Sequence, residues 1–552
     1  MAEQLHADVV VVGAGPVGLT LAMDLAWRGV DVLVLESRAP GEPPSVKSNH
    51  VSARSMEVFR RLGVAQKVRD AGLPADYPND VVYRTAFLGR EITRIKIPCR
   101  AERYTSKDGP DTWWPTPEPP HRINQIYLEP VLSAHLSAMP GARILHGTSL
   151  VDFTQDPQGV TAFATADGRE IEISCKYLIG CDGGRSLVRK KIGATLSGDV
   201  ALQHVQSSYI RAPKLLGMLL QQGGTPAWAS FALNARQSGN VYAIDGKQTW
   251  LVHVYLKPGI TDFEAVDRDA AIRTVLGVDG DFEYELLSKE DWVGRRLIVD
   301  KVRDGKVFIC GDASHLWVPY AGYGMNAGIA DAANLAWLLA ARLEGWGAEA
   351  ILEAYAAERL PITDQVSHFA MDHAHAMTKA RKSVSDLIDA DGPEADAYRA
   401  AVGKATYDLN VQQYCCAGLN FGYFYQGSPI VAYDGETAPP YTMGEFTPST
   451  VPGARLPHIW LTDGRSLYDA MGPYYTLLRL DPDIDISGMT NAAAAAGVPL
   501  TVLDVSGSEA AGSLSHALIL ARPDQHVAWR GNQSPTDPGR LMDIVRGAGS
   551  AG

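Results

Sequence analysis

The chain has 552 residues, 46% hydrophobic and 20% charged, an ordinary globular usage that excludes intrinsic disorder as a description of the whole. Fifty basic against 63 acidic residues leave a formal net charge of −13, which argues against a nucleic-acid binder or an electrostatic membrane anchor, since both need Lys and Arg to meet phosphates. With no run of about 18 apolar residues, no secretory leader in MAEQLHADVVVVGAG and no C-x-x-C among six cysteines, the chain is predicted to be cytoplasmic, of about three or four domains, without structural zinc or a disulfide scaffold.

Residues 8–12 (DVVVV) predict a buried strand, residues 19–26 an apolar helix stopped by Gly29, and residues 31–36 (DVLVLE) a second strand. Together they have the size of one βαβ unit. Helix is predicted over 50–70, with Met56, Phe59 and Leu62 on one face, and again over 122–138. The Pro-, Asp- and Trp-rich stretch 105–121 between them reads as a loop. Strands and turns alternate from 145 to 180, with a turn at Asp167-Gly168, and end in Tyr177-Leu178-Ile179-Gly180. Residues 200–300 are mostly strand-like, as in QTWLVHVYL at 248–256, and read as a large sheet inserted between pieces of one cofactor domain. The strand 307–310 (VFIC) ends at Gly311. Helices follow at 326–343 and 349–385, then helix and irregular loop over 386–440. The Pro-, Thr- and Gly-rich stretch 435–455 reads as a linker. Beyond it, strands at 475–480, 500–505 and 517–521 predict a small α/β domain.

Three stretches carry chemistry. Gly13-Ala14-Gly15-Pro16-Val17-Gly18 follows a strand and opens a helix. Glycines there let the backbone turn tightly and approach a pyrophosphate, and the helix start supplies free N–H groups. Glu36, at the end of the second strand, stands where an acid takes ribose hydroxyls. Cys181-Asp182-Gly183-Gly184-Arg185-Ser186, followed by Arg189, reads locally as a tight turn that can also hold phosphates. Gly311-Asp312-Ala313-Ser314-His315, then Pro319 and Gly322-Tyr323-Gly324-Met325-Asn326, places a helix start in a glycine-rich stretch, able to face the polar edge of a flavin ring. His315 is expected to be a satisfied structural residue.

In this order and spacing the three stretches resemble the aromatic hydroxylases among the flavoprotein monooxygenases, the para-hydroxybenzoate hydroxylase and phenol hydroxylase type. GAGPVGL is similar to their first FAD motif, CDGGRSLVR to their Asp-Gly motif, and GDASHLWVPYAGYGMNAGIADAANLAW to their Gly-Asp motif. Arg54-Ser55-Met56-Glu57, Gln125 with Leu128-Glu129, and Tyr355-x-x-Glu358-Arg359-x-Pro361 add smaller matches. Residues 452–480 and 521–530 resemble the thioredoxin-like C-terminal domain of phenol and polyketide hydroxylases, here without C-x-x-C, so that packing or dimerisation into a homodimer is its expected role.

The resemblance implies an α/β fold: a discontinuous Rossmann-like FAD-binding domain (1–75, 121–195 and 296–395), an inserted mixed-sheet substrate domain (76–120 and 196–295), a helical linker region (396–450) and a thioredoxin-like domain (451–552). It assigns FAD to Gly13, Gly15, Pro16, Gly18, Glu36, Lys47, Arg54, Gln125, Asp182, Gly183, Asp312, Pro319, Gly322, Gly324, Met325 and Asn326. It implies that NADPH or NADH, bound transiently since no second G-x-G-x-x-G occurs, delivers hydride to FAD. O2 then adds to give a C4a-hydroperoxide whose distal oxygen passes to a small aromatic substrate. Three positions depart from the family: Lys47 and Asn49 stand where it often has Arg and Asp, and Tyr323 where it has Gln, Phe or Leu. A phenol would react better as phenolate, and His50 is the first candidate for the base, unless it only packs beside the flavin. Tyr323 and Tyr320 are further candidates. Trp113 and Trp114 wall the pocket or cap a surface loop. Other flavin oxygenation (Baeyer–Villiger, epoxidation, antibiotic inactivation) and a non-catalytic flavin-binding scaffold or redox sensor remain as alternatives.

Overall fold

The run Val9–Val12 lies in the middle of a sheet, with Val32–Leu35 parallel on one side and Tyr177–Gly180 parallel on the other. Four consecutive apolar, β-branched side chains suit a strand covered on both faces. A computed structural model of the chain describes residues 3–318, 322–507, 512 and 514–549. Its first sheet runs, edge to edge, Arg303–Asp304, Val307–Ile309, Arg169–Gly180, Glu3–Val12, Val32–Leu35, Ala142–Leu145. The hairpin Thr148–Gln155/Val160–Ala166 joins it on Arg169–Gly180. The turn at Asp167 and Gly168 has φ of +50° and +75°, the pair of positive values that a tight two-residue hairpin requires.

Register fixes the site. Val12 pairs with both Leu35 and Gly180, and Gly180 with Ile309. Gly13, Glu36, Cys181 and Cys310 are therefore the next residues out, side by side along one carboxyl edge. The helix Pro16–Trp27 packs on this sheet and against the helix Tyr323–Leu343. Their contact needs Gly328, where a Cβ would stand 2.6 Å from Val17 and 2.9 Å from the Gly311 backbone.

The second sheet has nine strands centred on the 16-residue strand Leu196–Arg211. It is antiparallel except where Ala229–Ala232 lies parallel to Val81–Arg84. Its terminal strand, His315–Leu316, starts six residues after Ile309 of the first sheet. The Gly311–Ser314 segment is thus the joint between the sheets. Residues 200–300 also contain two α-helices, Leu215–Gln221 and Arg268–Leu276. The second is capped by Asp267, which accepts from Ala270 N, and closes on Gly277 at φ +73°, an ordinary start and stop.

The third sheet runs Leu500–Asp504, Tyr475–Arg479, Leu518–Ala521, Val527–Gly531 and is flanked by the helices Ser487–Ala496 and Pro538–Val545. This is the expected small α/β domain with one strand more than the sequence pattern indicates. Residues 435–455 hold no helix or strand. No described helix is long and apolar enough to cross a membrane, and all six cysteines are free.

Candidate functional site

The first glycine loop is shaped by what a side chain would hit. Gly13 has φ +104°, and a Cβ on it would stand 2.5 Å from the Cys181 carbonyl oxygen; one on Gly18 would stand 2.0 Å from Gly13 O. Gly15 differs: nothing lies within 4 Å of its missing Cβ. It is also the N-cap of the helix that Pro16 opens, with no side-chain cap. The loop closes tightly at its ends and leaves open backbone and uncapped N–H groups at its centre.

Glu36 is buried beside that loop. Its carboxylate accepts from Ala14 N at 2.7 Å, from Arg38 N at 2.8 Å and from Arg38 Nε at 3.1 Å. Burial alone would raise its pKa, but the hydrogen bonds and charge of Arg38 with the Ala14 N–H leave it below the usual carboxylate value. Arg38 spans from Glu36 to Glu129 at 2.8 Å, and Gln125 donates to Glu129 at 2.5 Å. Gln125 thus joins the Glu36 end of the edge through Glu129 and Arg38, two residues outside the expected set.

Asp182 caps the helix Leu187–Lys191, accepting from Ser186 Oγ at 2.5 Å, Leu187 N at 2.7 Å and Val188 N at 3.1 Å. Its neighbour Gly183 has φ +74° with open space around it. Arg189 donates to the carbonyls of Gly184 (3.0 Å) and Ala313 (3.3 Å), tying the Asp-Gly stretch to the Gly-Asp stretch. Asp312 projects from this joint with part of its surface exposed, and the protein packed around its carboxyl raises its pKa against the pull of His315 and Lys47. His315 is buried, bonded to Asp331 at 2.8 Å and to the Trp317 indole at 2.5 Å. Asp331 in turn holds Arg359 at 2.8 Å. Pro319 and Tyr320 lie outside the described residues.

The start of the helix Tyr323–Leu343 forms the far end of the site. Gly322 has φ +63°, and a Cβ on it would stand 3.1 Å from His50; Gly324 opens to free space. Met325 is half-buried against the main core. Asn326 is buried, and its amide is satisfied on both sides. Oδ1 accepts from Ser52 N (2.8 Å) and Ser55 Oγ (2.7 Å), and Nδ2 donates to the carbonyls of His50 (3.1 Å) and Gly322 (2.6 Å). It therefore fixes the loop before the helix Ala53–Arg61 to the turn at Gly322. Tyr323 is buried against Tyr423 and Leu419, and that burial pushes its phenol well above the ordinary value.

His50 meets Arg122 because Val51 and His121 form an antiparallel bridge with both N···O distances at 2.9 Å. Arg122 donates to His50 Nδ1. Burial first, then the charge of Arg122, depress the His50 pKa well below its usual value. The ring is neutral, with Nδ1 the acceptor and the proton on Nε2.

Arg54 lines a cavity with Ser52, Tyr323 and Asn326 and is held from the other side by the C-terminal domain. It pairs with Glu57 at 2.8 Å, donates to Asp524 O at 3.0 Å and contacts Gln525 and Tyr423. Glu57 also takes Arg455 at 2.5 Å, and Glu358 takes Arg522 at 2.5 and 2.8 Å. The C-terminal domain is locked to the helices Ala53–Arg61 and Glu353–Lys382 by buried charges from the very motifs that the sequence singles out. Of the paired tryptophans, Trp113 is exposed, while Trp114 packs edge-on against Phe421.

Comparison with known proteins supplies the family. Residues 6–370 match the family model described as FAD binding domain, and residues 449–548 that of the aromatic-ring hydroxylase C-terminal domain. The chain is 28% identical to phenol 2-monooxygenase of Pseudomonas sp. (strain EST1001) over 98% of this chain and 93% of that one. It is 30% identical to aklavinone 12-hydroxylase RdmE of Streptomyces purpurascens over 98% of each. Its fold is similar to that of the rebeccamycin biosynthetic enzyme RebC with reduced flavin, at TM-score 0.87 and 32% identity over 99% of both chains. It is also similar to aklavinone-11 hydroxylase in complex with FAD and aklavinone, at TM-score 0.77 and 27% identity over 98% of both. A carboxyl edge shaped by glycines, a mixed sheet joined to it and a locked C-terminal domain thus stand in a chain that belongs to the FAD-dependent aromatic-ring hydroxylases, a family of flavoprotein monooxygenases.

Proposed function

We propose that the chain binds FAD along the carboxyl edge of the first sheet and hydroxylates a phenolic aromatic held between Gly322 and the nine-stranded sheet. One observation carries this reading. His50, beside Gly322, is bonded to Arg122, whose guanidinium lies over Trp228, and from Trp228 a row of largely buried rings runs along the nine-stranded sheet. Trp228 meets Tyr242 at 5.2 Å between ring centroids, Tyr242 meets Phe231 at 6.5 Å, and Phe231 stacks on Tyr83 at 5.0 Å. Such a row suits a flat aromatic ring. Relatives named for phenol, for aklavinone and as polyketide hydroxylases support an aromatic of that kind.

The residues fit the cofactor. The open backbone at Gly15 and the uncapped helix start suit a pyrophosphate, Glu36 a ribose, the exposed Asp312 a polyol chain, and the free space at Gly324 the polar edge of a flavin ring. When bound, FAD supplies hydride acceptance from NADPH or NADH and the activation of O2. The chain's own groups do the rest. Asn326 fixes the Gly322 turn against His50. His50, neutral and protonated on Nε2, can donate a hydrogen bond to a substrate oxygen. Tyr323, held protonated by burial, can donate its O–H but does not supply a phenolate base. In this reading neither residue is the base that the sequence pattern suggests.

The test is oxidation of NADPH and NADH in air by FAD-loaded protein, with a panel of phenols, naphthols and aromatic polyketides. Stimulation by a member of the panel, with a hydroxylated product, supports the reading. Cofactor oxidation that no aromatic compound changes would contradict it.

A further inference from the structure

Arg122 carries a charge that none of its described neighbours answers. The side chain is buried, at 4% exposure. Its Nη1 donates to a neutral imidazole, that of His50. Its Nη2 is buried without a partner among the described residues. The guanidinium lies 4.4 Å from the ring centroid of Trp228 and 5.9 Å from that of Tyr414. Asp111 is near enough to act on it but is already committed, to Arg103 at 2.6 Å and to the Trp114 indole at 2.8 Å.

Four other buried arginines are each paired with a carboxylate, while Arg189 is bonded to the carbonyls of Gly184 and Ala313. Arg69 sits on Glu118, Arg359 on Asp331, Arg455 on Glu57 and Arg522 on Glu358. A guanidinium does not shed its proton, so a buried one without an anion is a standing destabilisation. Aromatic faces relieve it only in part.

We propose that the missing counter-charge arrives with a ligand: Arg122 binds the ionised oxygen of an aromatic anion, a carboxylate or a phenolate. The position suits this. His50 connects Arg122 to the Gly322 turn, and Trp228 connects it to the row of rings on the nine-stranded sheet. That the ligand is the substrate rests on the function proposed above; the unanswered charge does not.

The experiment uses FAD-loaded full-length protein and the variants Arg122→Met, Arg122→Gln and Arg122→Lys. Binding is read from perturbation of the flavin absorbance and from thermal shift. The probes are 2-naphthoate against 2-naphthamide, for a carboxylate, and 4-nitrophenol above and below its ionisation, for a phenolate. The wild type should bind at least one anion about tenfold or more tightly than its neutral counterpart, a difference of about 1.4 kcal/mol. Arg122→Lys should keep part of that preference. Arg122→Met and Arg122→Gln should lose it, and Arg122→Met without ligand should melt no lower than wild type. Whichever probe pair shows the preference assigns carboxylate or phenolate. A preference that survives in both neutral variants, or a wild type that shows none, would overturn the proposal. Arg122-dependent anion binding that stimulates no cofactor oxidation would leave the anion site standing and remove only the substrate reading.

Discussion

Glu358 and Arg522, 164 positions apart, form a fully buried two-pronged pair, with one guanidinium N–H on each carboxylate oxygen. Arg522 also holds Asp524 at 2.6 Å. The pair joins the long helix Glu353–Lys382 to the turn between the last two strands of the C-terminal domain. That domain carries no C-x-x-C, and its motif residues serve this contact. Arg522→Met leaves two buried carboxylates without their cation, which should cost about 3–5 kcal/mol. A thermal melt should show the loss, and Glu358→Leu added to Arg522→Met should recover part of it. Unchanged melting of the single variant would show that the lock contributes nothing.

The two outer glycines of the first loop and its central one should fail differently. Gly18→Ala drives a methyl to 2.0 Å from Gly13 O, whereas Gly15→Ala meets no protein atom within 4 Å. Gly18→Ala should therefore lower stability and yield little folded protein. Gly15→Ala should fold with near wild-type melting as apoprotein yet bind FAD at least about tenfold more weakly, because its methyl occupies space left for the pyrophosphate. Circular dichroism and flavin-fluorescence titration separate the two outcomes.

Glu36 gives a pH prediction with a definite sign. Its pKa is lowered in the folded chain by Arg38 and the Ala14 N–H. Its ionised form therefore contributes stability above the unfolded value, near 4.5, and that contribution is lost as pH falls through the lower, folded value. The stability gap between wild type and Glu36→Gln should be full at neutral pH and close in acid. Denaturant melts at several pH values measure it. The same variant should weaken FAD binding if this carboxylate takes the ribose.

His50 is neutral near neutrality, so its titration should not shape catalysis. The rate of hydroxylation by wild type should show no ionisation near the ordinary histidine value of about 6.5. His50→Gln, which still offers an N–H, should retain more activity than His50→Phe. A limb near that pH that disappears in His50→Gln would restore His50 as a base.

The readable parts of the sequence are local. Strand and glycine follow one another within a few residues at Val12, Gly180 and Ile309, and parallel register then aligns them on one edge. The long-range meetings left no such trace. His50 reaches Arg122 through a single bridge, Val51 to His121, inside stretches read as helix start and loop. Asn326 is legible as part of a motif, but three of its four partners come from backbone and serine groups some 270 positions away. The helix Leu215–Gln221 (LLGMLLQ) is a short apolar run whose period does not distinguish helix from strand. The strand Val527–Gly531 is only five residues long and follows a turn that places Gln525 at φ +69°, a conformation that glycine, rather than glutamine, usually signals.

The most direct measurement of the central claim is turnover of FAD-loaded protein with NADPH or NADH under isotopically labelled O2, in the presence of an aromatic compound that stimulates cofactor oxidation. The account predicts a hydroxylated aromatic carrying one labelled oxygen atom. Stimulated cofactor oxidation with the label absent from every organic product would contradict it.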